Sequence, residues 1–152
     1  DIDSVTPEYW DDRMNINLRH YFFATQAVYK DMKNFGKGSV VNIGSFSWMI
    51  SQGGMAGYTT AKSAIMGLTR TLARDLGVYN IRVNCIVPGW IITERQKKLW
   101  LTPEIEKTQL ERQCIKRMLM PEDISKPVLF FASDQSSGCT AQNYVIDGGI
   151  VN

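Results

Sequence analysis

Three short runs restrict this chain's fold more than any other feature: SVVNIGS at 39–45, IRVNCIVPG at 81–89 and NYVIDGG at 143–149. In the first two, apolar and β-branched residues fill both alternations, so neither face is left for water. That is the pattern of a parallel strand covered on both sides. Helical periodicity fills the intervals. Trp10, Met14, Leu18, Phe22, Val28 and Met32 recur along 7–34, opened by Thr6-Pro7-Glu8 and stopped by Asn34, Gly36 and Gly38. Ile65, Leu68, Leu72 and Leu76 mark a helix over 57–77. Two short helices are expected around Thr102-Pro103-Glu104, and Pro121-Glu122-Asp123 starts another that carries Val128, Leu129 and Phe130. The alternation predicts an α/β domain with a parallel sheet and right-handed crossovers. About three strands make a thin sheet where five or six are usual. The run at 39–45 should have neighbours on both sides, and one of them is expected to be missing from this chain.

The totals exclude several classes. At 152 residues, 44% apolar and 21% charged, residues 1–152 read as one globular domain with no second domain. The net charge is +2 and the longest basic stretch is Arg95-Gln96-Lys97-Lys98, a solvated face, so no nucleic acid is expected as partner. No apolar run approaches the roughly 18 residues of a membrane span, and no signal peptide is expected. Cys85, Cys114 and Cys139 are odd in number and widely spaced, which argues against a disulfide framework and fits a reducing cytoplasm. His20 stands alone, so it reads as structural or surface and no metal is expected. The chain opens at Asp1 without a methionine, and a fragment or processed product is expected.

In GYTTAKSA (57–64), Tyr58 and Lys62 lie four apart and share a helix face. A free phenol titrates near ~10, and a neighbouring cation favours its phenolate. The spacing alone is weak, because Tyr29 and Lys33 repeat it in mid-helix. Context separates the two. Ser45 closes the first strand, 13 residues before Tyr58, and Pro88-Gly89 closes the second at the same sheet edge. Ligand sites of open α/β sheets lie at the carboxyl ends of strands. Tyr29 and Lys33 have no such surroundings and read as a chance match.

These motifs together resemble the short-chain dehydrogenase/reductase family: NIGS (42–45), YTTAK (58–62), IRVNCIVPGWIIT (81–93), VIDGG (145–149) and Asn17 in NINL (15–18). The resemblance runs over essentially the whole chain. It implies the carboxyl-terminal part of a Rossmann-like, doubly wound parallel sheet, with the nucleotide half absent. It implies that Tyr58 is the general acid/base and that Lys62 favours its phenolate and bonds the nicotinamide ribose. Ser45 would hold the substrate oxygen, and Asn17 would position a water linking Lys62 to solvent. The backbone around Pro88, Gly89 and Ile91, with Thr93, would hold the nicotinamide carboxamide. Asp147-Gly148-Gly149 reads as a structural turn at a strand end.

The family's Gly-rich phosphate turn is not found here, since Gly53, Gly54 and Gly57 do not follow a strand and open a helix. The choice between NAD and NADP therefore cannot be read, and the chain alone is expected to bind cofactor poorly and to be inactive. The segment WIITERQKKLWLTPE, with RQCIKR at 112–117, is similar to the sugar (aldose) 1-dehydrogenase branch. The implied reaction is oxidation of an aldose at C1 to a lactone, with Trp48, Trp90, Gln52 and Gln96 as substrate contacts. The alternatives are a 3-oxoacyl or other small-carbonyl reductase and a non-catalytic oligomerisation scaffold. The family resemblance also implies a homo-oligomer, dimer or tetramer, through the long helices.

Overall fold

Eight consecutive residues of IRVNCIVP carry side chains that can be buried on either face, and they form the middle strand of the sheet. A computed structural model describes residues 2–151, leaving Asp1 and Asn152 outside the described residues. Strand β1 is Gly38–Ile43, β2 is Ile81–Pro88 and β3 is Asn143–Ile146. All pairings are parallel in the order β1-β2-β3, with Gly38 opposite Ile81 and Cys85 opposite Asn143. Every residue of β2 from Val83 to Val87 is buried, whereas most of β1 is only half-buried. Among the described residues β1 pairs with β2 alone, so its other edge has no strand against it.

The helices lie on both faces, as a doubly wound sheet requires. The run expected as one helix over 7–34 is α1 (Pro7–Met14) and α2 (His20–Phe35), joined through a π-helical segment, Asn15–Arg19. Thr6 caps α1 by accepting from the Tyr9 N–H at 3.2 Å, and Gly36 ends α2 at φ 83°. Helix α3 is Ala56–Leu76, and its buried Ile65, Leu72 and Leu76 meet the β2 residues Val83, Cys85 and Val87 in two apolar clusters. Gly57 lets α1 pass close by, because a Cβ there would lie 3.0 Å from the Arg13 Cβ.

Helix α6 (Pro121–Ala132) covers the other face with Phe131. There the Ser39 hydroxyl donates to the Phe131 carbonyl at 2.7 Å, and Arg82 donates to the Ser133 carbonyl at 2.9 Å. The short helices α4 (Glu94–Leu99) and α5 (Pro103–Arg112) fill the stretch after β2. Residues 147–149 leave the predicted third strand to form a turn. The buried Asp147 carboxylate accepts the Gly149 and Val151 N–H groups at 2.8 and 2.7 Å, with Gly148 and Gly149 at positive φ. No described helix is long and apolar enough to cross a membrane.

Candidate active site

Polar side chains concentrate at the carboxyl ends of β1 and β2. Beyond Ile43 the chain continues along β2 for a few residues: Gly44 N–H donates to the Ile86 carbonyl at 2.7 Å and Phe46 N–H to the Pro88 carbonyl at 3.0 Å. This holds Ser45 buried at the strand end. Its Oγ donates to Ser47 Oγ at 3.0 Å and accepts the Ser47 N–H at 3.2 Å.

Helix α3 brings Tyr58 and Lys62 to the same edge. The Lys62 Nζ lies 5.9 Å from the Tyr58 ring centroid, and it donates at 3.1 Å to the carbonyl of Ile43, two residues before Ser45. Tyr58 and Lys62 thus share one helix face, and Lys62 reaches the end of the strand that carries Ser45. Lys62 has a second partner that sequence reasoning missed, the Tyr21 hydroxyl at 3.1 Å. Tyr21 itself donates to the Ile43 carbonyl at 2.7 Å. The one available signal was that Tyr21 falls a helical turn after Asn17.

Burial sets the protonation of this corner. It lowers the Lys62 pKa, partly opposed by Cys85. It pushes the Tyr21 phenol up to about 12, with Cys85 and Tyr58 adding to the shift, and the Cys85 thiol up to about 11. Near pH 7 the phenol of Tyr21 and the thiol are neutral, so Lys62 is surrounded by dipoles. Asn17 lies in the π-helical segment, which packs against α3, and its side-chain amide donates to the Arg13 carbonyl at 2.9 Å. Single π turns of this kind recur at functional sites.

The remaining predicted residues divide. Gly89 N–H donates to the Ile146 carbonyl at 2.8 Å, and a Cβ at Gly89 would lie 2.7 Å from the Asp147 Cα. The two strand ends can approach only because this residue is glycine. Ile91 bridges to Leu119, and Thr93 caps α4 by accepting from the Gln96 N–H at 3.3 Å. Trp90 and Gln96 engage each other, indole N–H to Oε1 at 2.8 Å. Trp48 carries a buried indole N–H without a partner, whereas Gln52 is exposed.

With this geometry in view, the profile of the family described as enoyl-(acyl carrier protein) reductase matches residues 1–151. The chain belongs to the short-chain dehydrogenase/reductase family. This member is 50% identical over 149 residues to the protein named "Probable galactose dehydrogenase GalD" from Rhizobium meliloti (strain 1021), covering 98% of the chain and 58% of that protein. It is also 50% identical over 145 residues to D-xylose 1-dehydrogenase of Caulobacter vibrioides (strain NA1000 / CB15N), covering 95% of the chain and 58% of the relative. Among solved structures, 4-hydroxyisoleucine dehydrogenase complexed with NADH superposes with a TM-score of 0.91 at 31% identity, covering 98% of the chain and 62% of that one. The short-chain dehydrogenase/reductase segment described here therefore spans about 58% of the length of the curated relatives it matches.

Proposed function

We propose that these residues form the proton-transfer part of a longer NAD(P)-dependent oxidoreductase that oxidises an aldose at C1 to a lactone. The observation that carries this reading is the Lys62 ammonium held on the Ile43 carbonyl beside the Tyr58 ring, with Ser45 at the end of the same strand. The donor set fits a nicotinamide riboside. Lys62 has three N–H donors and uses two on Ile43 and Tyr21, leaving one for a ribose hydroxyl. When bound, the nicotinamide accepts the hydride from the sugar carbon.

The chain's own residues handle the proton and the orientation. Tyr58 takes the proton of the C1 hydroxyl, with the Lys62 ammonium held 5.9 Å from its ring centroid. The Ser45 hydroxyl turns from Ser47 to the sugar oxygen. The unpartnered Trp48 N–H is a donor of the kind a hydroxyl-rich substrate satisfies. The sugar reading draws support from the names of the galactose and xylose dehydrogenases. Without the phosphate-gripping turn the chain alone is inactive. The complete protein works in the cytoplasm as a homo-oligomer, in keeping with the free cysteines and with Ile16, Phe22, Phe23 and Val28 exposed along one helical rod.

The test is steady-state turnover of aldoses by the full-length protein with NAD and with NADP, alongside Tyr58→Phe. At least one aldose should reduce the cofactor, and Tyr58→Phe should lower kcat/KM by about 10²–10⁴-fold. Background rates with every aldose, combined with turnover of a 3-oxoacyl substrate, would replace the sugar reading. Full activity in Tyr58→Phe would remove the mechanism.

A further inference from the structure

Three elements meet at one carbonyl. Lys62 from α3 and Tyr21 from α2 both donate to the Ile43 oxygen at the end of β1, and Lys62 also donates to the Tyr21 oxygen. The Lys62 Nζ lies 5.2 Å from the Tyr21 ring centroid, nearer than the 5.9 Å to Tyr58. We propose that Tyr21 is a positioning residue for the reaction, whose hydroxyl pins the Lys62 ammonium at the carboxyl end of β1 and keeps it charged and aimed. Its catalytic consequence rests on the oxidoreductase reading; its effect on Lys62 does not.

The physical need is plain. An ammonium taken half out of water is disfavoured unless acceptors replace its hydration. The groups facing Lys62 are Tyr21 from α2, Tyr58 from its own helix and Cys85 from β2, with His20 stacked on Tyr21 at 4.1 Å. None is a carboxylate, and no salt bridge among the described residues includes Lys62. The two acceptors that hold the charge are the Ile43 carbonyl and the Tyr21 hydroxyl. Tyr21 suits the task because it both accepts and donates. Its O–H is spent on Ile43, which turns its lone pair toward Lys62. Its ring packs against the cluster of Phe46, Ile65, Cys85 and Val87, so a phenylalanine fills the same space and removes only the hydroxyl, with its bond to Lys62 and its bond to Ile43.

The experiment is trace acylation of lysines in the full-length protein, read by peptide mass spectrometry across pH, with exposed Lys33 as internal reference. In Tyr21→Phe the Lys62 ammonium loses one of two acceptors, so more free amine is present at a given pH. Its acylation relative to Lys33 should rise about three- to tenfold near pH 7.5, the effect of half to one pKa unit. The ascending limb of the pH profile of kcat/KM for oxidation should move to higher pH. Unchanged Lys62 labelling in a folded Tyr21→Phe protein would overturn the positioning role. If Tyr21→Phe loses its near-UV circular dichroism, Tyr21→Met supplies a second hydroxyl-free side chain of adaptable shape. Enhanced labelling in Tyr21→Phe, together with no aldose turnover by the wild-type protein, would leave the role standing and sink the sugar reading instead.

Discussion

Two tyrosine–lysine pairs stand in this chain at the same spacing, Tyr58/Lys62 on α3 and Tyr29/Lys33 on α2, and their lysines have opposite surroundings. Lys62 is half-buried, points at the end of β1 and shares a carbonyl and a phenol with two other elements. Lys33 is exposed and lies over the Tyr79 ring at 4.1 Å, on the cluster nearer the amino ends of the strands. Tyr29 packs against that same cluster beside Leu72 and Val83. Helical spacing puts both partners on one face in each case. What lies beneath the lysine decides whether the pair is chemistry or packing. Under Lys62 there are dipoles at a strand end, where ligands bind. Under Lys33 there is an aromatic ring.

The largest expected difference is in turnover. Lys62→Met in the full-length protein should lower kcat/KM by at least about 10²-fold, the lower end of what positioned acid–base groups contribute. Lys33→Met should stay within about twofold of wild type, as surface changes away from a site do. Equal losses in the two variants would erase the distinction drawn between the pairs. Lys62→Met should nonetheless melt near the wild-type temperature. The Tyr21 hydroxyl still donates to Ile43 at 2.7 Å, so no buried acceptor is orphaned.

A smaller effect appears in the pH dependence of stability. Burial lowers the Lys62 pKa below 10.5, so between its folded and unfolded values the unfolded chain binds more protons. Stability then rises with pH across that window. Tyr21 has the opposite sign. Its phenol moves from 10.0 up to about 12, so its contribution is present below pH 10 and is lost as pH climbs toward about 12. Melting curves from pH 7 to 11 should show wild type gaining on Lys62→Met as pH approaches 10.5. Tyr21→Phe should lack the loss that begins above pH 10. A wild-type minus Lys62→Met difference that is flat throughout would mean the ammonium is as well solvated folded as unfolded.

The fold and the first residues of the site were legible because their signals are local. A short β-branched run that is apolar on both alternations and bounded by turn residues favours a buried strand, and β2 runs Ile81–Pro88. Ser45, Tyr58 and Lys62 follow from one strand end and one helix, so sequence spacing carries them. Tyr21 did not stand out, because its partners Ile43 and Lys62 are 22 and 41 residues away on other elements. The π-helical segment was hidden as well. One widened turn at Asn15–Arg19 barely disturbs an apolar periodicity read over some thirty residues. The run NYVIDGG divides at Ile146, where the strand ends, and Asp147-Gly148-Gly149 forms the strand-end turn on its own carboxylate. Gln96 and Trp90 were both expected to face substrate. A hydrogen bond six residues long in sequence, from indole to amide, couples the two, and spacing alone does not reveal which partner a side chain takes.

The smallest expected effect concerns the second pair alone. The Lys33 ammonium sits over Tyr79 at an exposed site, where such a contact contributes about 0.5–1 kcal/mol. Lys33→Met replaces it with an apolar chain that can still cover the ring, so the net loss should fall at or below that range. Raising the salt concentration should narrow the gap between wild type and Lys33→Met, because an exposed charge is screened. Lys62 is half-buried and bonded to two acceptors, so salt should change the gap between wild type and Lys62→Met much less. Urea unfolding of the three proteins at low and high salt measures both gaps. If the Lys62 gap responded to salt as strongly as the Lys33 gap, the two ammonium groups would share one environment, and the shared spacing of the pairs would be all that distinguishes them from the rest of the surface.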